Sequence, residues 1–299
     1  MTLTDWLPNA FIAGVPKAGT SSLHRWIADH PDALGSRDKE ACFFVDRDSH
    51  VYNAGANFED GFAAYRNQFQ LPGATRPTVI LESTPTYVYQ RTAIEQIPDL
   101  PTRPRCVFIV REPSEQIRSV FNYYKNNWAA IPANVEFEDF LTTVRNGTAA
   151  FGGNELAEHA LVNARYVDRL RIWRDRLGAD RMRVVTFDEL RANPVALTGR
   201  VAEWLGLDPG FYDDYRFPSE NETYNPRSRF LQEINVAVRE HLPKGATYTA
   251  LRSVYRRLNT SKARASDASD RTMQALKEEY ADANSALASE FDLDLSRWR

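Results

Sequence analysis

The segment Gly14-Val15-Pro16-Lys17-Ala18-Gly19-Thr20-Ser21-Ser22-Leu23 lies between a short apolar run and a helical pattern. A strand-to-helix turn of this kind points backbone N–H groups and the positive end of a helix at an anion. Gly19 permits close approach of backbone to ligand. Lys17 can reach a bridging or terminal oxygen, and Thr20, Ser21 and Ser22 supply hydroxyl donors; Pro16 and Ala18 complete the loop. The plain alternative is an ordinary turn carrying a surface lysine. The loop is not G-x-x-x-x-G-K-[ST]: Lys17 precedes Gly19, and no hydroxyl follows it to hold magnesium. A kinase or ATPase therefore loses ground.

Two further groups of residues belong to the same chemistry. Val107-Phe108-Ile109-Val110-Arg111 ends a strand, and Glu112-Pro113-Ser114 starts a helix. Arg111 sits at a strand's carboxyl end, where open α/β sheets bind ligands. Ser119 follows eight residues later, about two helical turns on. An arginine and a hydroxyl can clamp a phosphate; the alternative is an ion pair of Arg111 with a helix carboxylate. In Lys39-Glu40-Ala41-Cys42-Phe43-Phe44, Glu40 is a candidate base that two phenylalanines could desolvate. The bland alternative is an exposed Lys–Glu pair beside two core phenylalanines.

Together these motifs resemble those of sulfotransferases that use 3′-phosphoadenosine 5′-phosphosulfate (PAPS), and among them the heparan sulfate N- and 3-O-sulfotransferase branch. The first loop is similar to that family's 5′-phosphosulfate loop. Val110-Arg111-Glu112-Pro113 with Ser119 looks like its 3′-phosphate motif, and Lys39-Glu40-Ala41-Cys42-Phe43-Phe44 like its K-E-x-x-F-F motif. The resemblance implies that Glu40 is the catalytic base, that Lys39 is a nearby cation, and that Lys17 offsets charge on the leaving phosphate. Asn259-Thr260-Ser261-Lys262-Ala263-Arg264 resembles the family's cofactor-wrapping loop, with Ala263 where a glycine is usual. Two departures stand out: Cys42 where those enzymes often have His, and Ser83 in Glu82-Ser83-Thr84-Pro85-Thr86-Tyr87 where the N-sulfating branch has a functional Lys. The resemblance runs from about Asn9 to Trp298 and implies PAPS as donor, 3′-phosphoadenosine 5′-phosphate (PAP) as product, and no metal. The acceptor is expected to be a small molecule, glycoside or glycan, accepting on a hydroxyl or an amine. Two rivals are carried alongside: a small-molecule kinase and a non-catalytic nucleotide-binding protein.

The elements that must position these residues follow from apolar patterning. Strands are expected at Asn9–Ala13, Thr78–Glu82, Cys106–Val110 and Arg183–Phe187. Helices are expected from about Thr20 to before Pro31, after Pro113 with Ile117, Val120, Phe121 and Tyr124 inward, from Arg165 to Leu177, from Pro194 to Leu205, and from Arg271 to Leu287. Strands alternating with helices predict an α/β, P-loop-like domain with a central parallel sheet flanked by helices. We expect one domain over 1–299: a cofactor core at 9–128, a helix-strand-helix unit at 164–209, and a lid, cofactor loop and closing helix at 210–299. Gly55 to Pro77 and the stretch from Asn225 onward fit the alternation poorly and read as lids or insertions.

Composition bounds the rest. The chain has 299 residues, 43% hydrophobic and 26% charged, which is ordinary for a globular protein. With only two cysteines, Cys42 and Cys106, a disulfide framework is excluded, and both read as buried small hydrophobes in a cytoplasmic protein. No run reaches the roughly 18 apolar residues of a membrane helix, and the first residues lack a basic n-region. A net charge of -3 speaks against nucleic acid. Nine Lys/Arg against two Glu between Asn225 and Arg264 point instead to one anionic ligand. The five histidines show no metal spacing, and only His50 is a modest candidate beside Glu40. Tyr123, Tyr124 and Trp128 read as core before pocket. Oligomeric state has no signature in the sequence.

Overall fold

The computed structural model describes residues 2–71, 76–148, 151–218, 224–226, 260–262 and 270–298. In chain order its elements are β1 (Ala10–Gly14), α1 (Thr20–Ala28), β2 (Ala33–Gly35), α2 (Phe62–Arg66), β3 (Val79–Glu82), α3 (Arg91–Gln96), β4 (Arg105–Val110), α4 (Pro113–Asn126), α5 (Phe137–Arg145), α6 (Glu155–Glu158), α7 (Ala160–Asn163), α8 (Tyr166–Leu177), β5 (Met182–Thr186), α9 (Phe187–Ala192), α10 (Pro194–Leu205), β6 (Tyr224–Pro226), β7 (Thr260–Lys262) and α11 (Asp270–Phe291). Short 3-10 turns, including Pro85–Tyr89, join them.

Five strands pair in the order β2-β3-β1-β4-β5, and every pair is parallel. This is the expected architecture. Residues of β1, β3 and β4 are buried along almost their whole length, as continuous apolar runs covered on both faces require. The chain passes from β1 outward to β2, returns through β3, and crosses to β4 on the other side of β1. β1 and β4 thus flank the point where strand order reverses, and the crevice beyond their carboxyl ends is where such sheets place ligands.

Contacts divide the chain into two compact units: Met1–Pro113, Arg165–Asn221 and Glu279–Arg299 form the first, and Ser114–Ala164 and Glu222–Glu278 the second. The first unit holds the sheet and one large core that includes Phe11, Leu23, Phe43, Phe44, Leu81, Phe108 and Trp173. Its α8 buries Tyr166, Leu170, Trp173 and Leu177, the stripe read from the sequence, and Gly178 closes that helix at φ 82. In the second unit α4 buries Ile117, Val120, Phe121 and Tyr124. There Phe121 meets Phe137 and Phe140 at ring separations of 5.4 and 5.2 Å. β6 and β7 pair antiparallel, Tyr224 opposite Lys262.

Four expectations need correction. Residues 62–69 are not a lid: Tyr65 and Phe69 are buried, and Tyr65 stacks on Phe43 at 4.1 Å. Phe187 starts α9 instead of ending β5, because Thr186 caps Glu189 N–H and Glu189 reaches back to the Thr186 amide, a capping box. Cys42 is half-buried with φ 51, and only Cys106 is fully buried. Trp128 is exposed, whereas Tyr124 is core.

Candidate anion and catalytic site

β1 delivers the loop at residues 15–19 to the crevice. Gly14 is needed there for space: a Cβ would stand 2.8 Å from Val88 Cβ. The Val15 N–H donates to Ile109 O at 2.9 Å, which fastens the loop to β4. Gly19 holds φ 90 at the N-cap of α1, and a Cβ on it would stand 2.7 Å from Leu190 Cδ2. Only glycine tolerates both the backbone and the contact. Gly19 also brings no side chain to cap the helix, so the cap itself adds no charge to the positive end of α1.

Four charged groups converge on this loop. Arg111, just past β4, donates from Nη1 to the carbonyl of Lys17 at 3.2 Å, and its guanidinium lies 4.9 Å from the Phe187 ring. Lys39 donates from Nζ to Thr20 Oγ1 at 3.4 Å and to Glu40 Oε1 at 2.8 Å. Lys17 has φ 68 and an ammonium packed round by protein. Burial, then the nearby Arg111, lowers its pKa from 10.5 to about 8; Glu40 pulls upward and Lys39 adds to the fall. Three cations with one carboxylate in a partly desolvated pocket leave an excess of positive charge, which an anion would offset.

The sequence pattern of the Sulfotransferase family matches residues 8–214. The chain belongs to this sulfotransferase family. The bifunctional heparan sulfate N-deacetylase/N-sulfotransferase 2 of Bos taurus is 23% identical over 205 residues, covering 69% of this chain and 22% of that protein. Heparan sulfate glucosamine 3-O-sulfotransferase 3B1 of Homo sapiens is 26% identical over 258 residues, covering 84% of this chain and 60% of that protein. The chain therefore spans less than two thirds of either relative. The sulfotransferase from Alicyclobacillus acidocaldarius shares the fold, with a TM-score of 0.69 at 18% identity over 98% of this chain and 99% of that one.

Within the sulfotransferase core, the structure brings together Lys17, Thr20, Lys39, Glu40 and Arg111 as the sequence suggested. Ser21 and Ser22 lie half-buried on the first turn of α1, and Pro16 and Ala18 are buried. Ser119 is half-buried on α4, in the second unit. Lys262 has its backbone in β7; Ala263 and Arg264 lie outside the described residues. One expectation fails locally: Phe43 and Phe44 do not wall off Glu40. Both are buried among Tyr65, Tyr87 and Phe11, while the Glu40 side chain stays 49% exposed. His50 is exposed. Among the described residues no helix is long and apolar enough to cross a membrane.

Residues 82–87, where sequence shows only the departure at Ser83, hold buried polar groups. Ser83 and His24 are both buried, with Ser83 Oγ 2.7 Å from His24 Nδ1. Burial, then Lys39, lowers the His24 pKa to about 3, so the ring is neutral. The available signal was a carboxylate closing the apolar run Val79-Ile80-Leu81, followed by hydroxyl residues. Polar groups at that place must be buried and must find partners.

Proposed function

We propose that this protein transfers the sulfuryl group of PAPS to a hydroxyl or amine of an acceptor, releasing PAP. The observation that carries the reading is the convergence of Lys17, Lys39 and Arg111 on one loop at the N-terminus of α1, with the Glu40 carboxylate beside them. The donor, when bound, supplies an activated sulfuryl group on a phosphate leaving group. The backbone N–H groups of 17–22 and the Lys17 ammonium would hold that 5′-phosphate, with Arg111 for the 3′-phosphate; Ser119, Lys262, Ala263 and Arg264 are given a 3′-phosphate role by the family resemblance alone. Each charge-assisted hydrogen bond of this kind is worth about 1.5–3 kcal/mol.

In this mechanism Lys17 offsets the negative charge that grows on the departing phosphate oxygen, a preorganised electrostatic role. Glu40 takes the acceptor proton. Lys39 occupies Oε1, which leaves Oε2 for that task. Nothing in these steps calls on a metal. A cytoplasmic setting and a cofactor core at 9–128 belong to the same proposal. The acceptor class we favour is a glycan or glycoside, supported by relatives named for heparan sulfate.

The experiment is sulfuryl transfer from labelled PAPS to a panel of de-N-sulfated heparan, glycosides and simple phenols. Loss of a general base costs about 10²–10⁴ in rate. Glu40→Gln should therefore lose turnover by that factor while PAP still binds. Wild-type turnover in Glu40→Gln would remove Glu40 from the base role.

A further inference from the structure

Residues 39–44 carry Glu40 yet form no helix or strand, so another part of the chain must fix where the carboxylate points. That part is the end of β3. Glu82 is fully buried. The Tyr65 hydroxyl donates to its Oε2 at 3.1 Å, and the Thr84 hydroxyl to its Oε1 at 2.5 Å. The Tyr87 hydroxyl and the Ala41 amide also favour the charged form of this carboxylate.

Thr84 and Tyr87, one of them bonded to Glu82, receive three consecutive amides of the coil. Cys42 N–H goes to Thr84 Oγ1 at 3.2 Å. Phe43 and Phe44 N–H both go to the Tyr87 hydroxyl, at 2.9 and 3.2 Å. Immediately upstream, Ser83 N–H donates to Lys39 O at 3.2 Å. A buried carboxylate is costly, and apolar packing would close a strand end as well or better. Its presence here makes sense as an acceptor for hydroxyls that in turn hold a coil with no ladder of its own.

We propose that Glu82 is a positioning residue for Glu40: with Thr84 and Tyr87 it fixes the coil 39–44 so that the Glu40 carboxylate stands beside Lys17 and Lys39. The inference rests on the reading of Glu40 as the base. The groups facing Glu82 are Tyr65 from α2, Tyr87 from the 85–89 turn and Cys106 from β4. Those facing Lys17 are Arg111, Glu40 and Lys39.

The test uses Glu82→Gln and Thr84→Val and needs no acceptor. Hydrogen exchange of the 42–44 amides in the ligand-free protein should quicken about tenfold in both variants, the loss of one hydrogen bond, with β1 amides unchanged. Glu40 supports the charge on Lys17, so displacing Glu40 lowers the pH above which PAP binding weakens. Glu82→Gln should move that midpoint down, as Glu40→Gln does, and the double variant no further than Glu40→Gln alone. A purely structural Glu82 would leave the midpoint in place. Wild-type exchange at 42–44, an unmoved midpoint, or additive shifts would each overturn the proposal. Thr84→Val carries both readouts if Glu82→Gln does not fold. Failure of the wild type to bind PAP would strike the cofactor reading, while exchange would still decide whether Glu82 fixes the coil.

Discussion

Raising the pH from 7 to 9 should weaken PAP binding about tenfold, through Lys17 alone. In the free protein burial and Arg111 hold the Lys17 pKa at about 8. The ammonium is therefore mostly charged at pH 7 and mostly neutral at pH 9. Phosphate second ionisations near 6 are complete throughout that range, so the ligand's charge hardly changes. A phosphate beside the ammonium restores its pKa toward the ordinary 10.5. Binding then takes up a proton, and affinity falls as pH rises through the free-protein value. The full linkage of about 2.5 pKa units is about 3 kcal/mol, or roughly 300-fold between neutral and strongly alkaline pH. Calorimetry at pH 7, 8 and 9, in buffers of different ionisation enthalpy, reads both affinity and proton uptake. Uptake should approach one proton per PAP near pH 9. Lys17→Met should bind about 10–100-fold more weakly at pH 7, without uptake or pH dependence. A wild-type affinity that is flat from pH 7 to 9, or a Lys17→Met variant that keeps the pH dependence, would refute this reasoning.

Three other outcomes follow from the same structure. Gly19→Ala sets a Cβ at φ 90 and 2.7 Å from Leu190; it should cost about 1–3 kcal/mol in urea unfolding and impair PAP binding further by moving the loop. Glu82, its pKa raised by burial from 4.5 to about 7, should make the wild type lose about 3 kcal/mol of stability as pH rises from below 4.5 through 7. The difference between wild type and Glu82→Gln, measured by denaturation at pH 5 and 8, should show that slope. Trp173→Ala removes a fully buried ring whose Nε1 donates to Val88 O at 3.2 Å, and should destabilise by about 3–5 kcal/mol.

The sheet was legible because its strands are unbroken apolar runs and its helices carry clean stripes. Pro113 opens α4, as a residue without an N–H suits a first helical turn. Gly206 ends α10 at φ 92, as a left-handed C-terminal position favours glycine. The loop at 15–22 was legible for a similar reason: its residue types stand close together in sequence, on one strand-to-helix turn. What escaped notice depends on contacts across long separations. In sequence Tyr65 reads as part of a lid or insertion, whereas in the structure it stacks on Phe43 and donates to Glu82. The polar run 82–87 shows in sequence, but its partners do not: they are amides of residues 42–44, and amides carry no side-chain signature. β2 has three half-buried residues, too few for a period to show. Phe43 and Phe44 misled because adjacency to Glu40 in sequence says nothing about which way a coil turns them.

On the proposed function, the cluster around Lys17 takes a 3′,5′-bisphosphorylated adenosine. Calorimetric titration of the wild type with PAP, beside 5′-AMP and Mg-ATP, tests it most directly. PAP affinity should lie far above both controls, because only PAP would engage 5′- and 3′-phosphate sites together. Preference for Mg-ATP, or no binding of PAP, would contradict it.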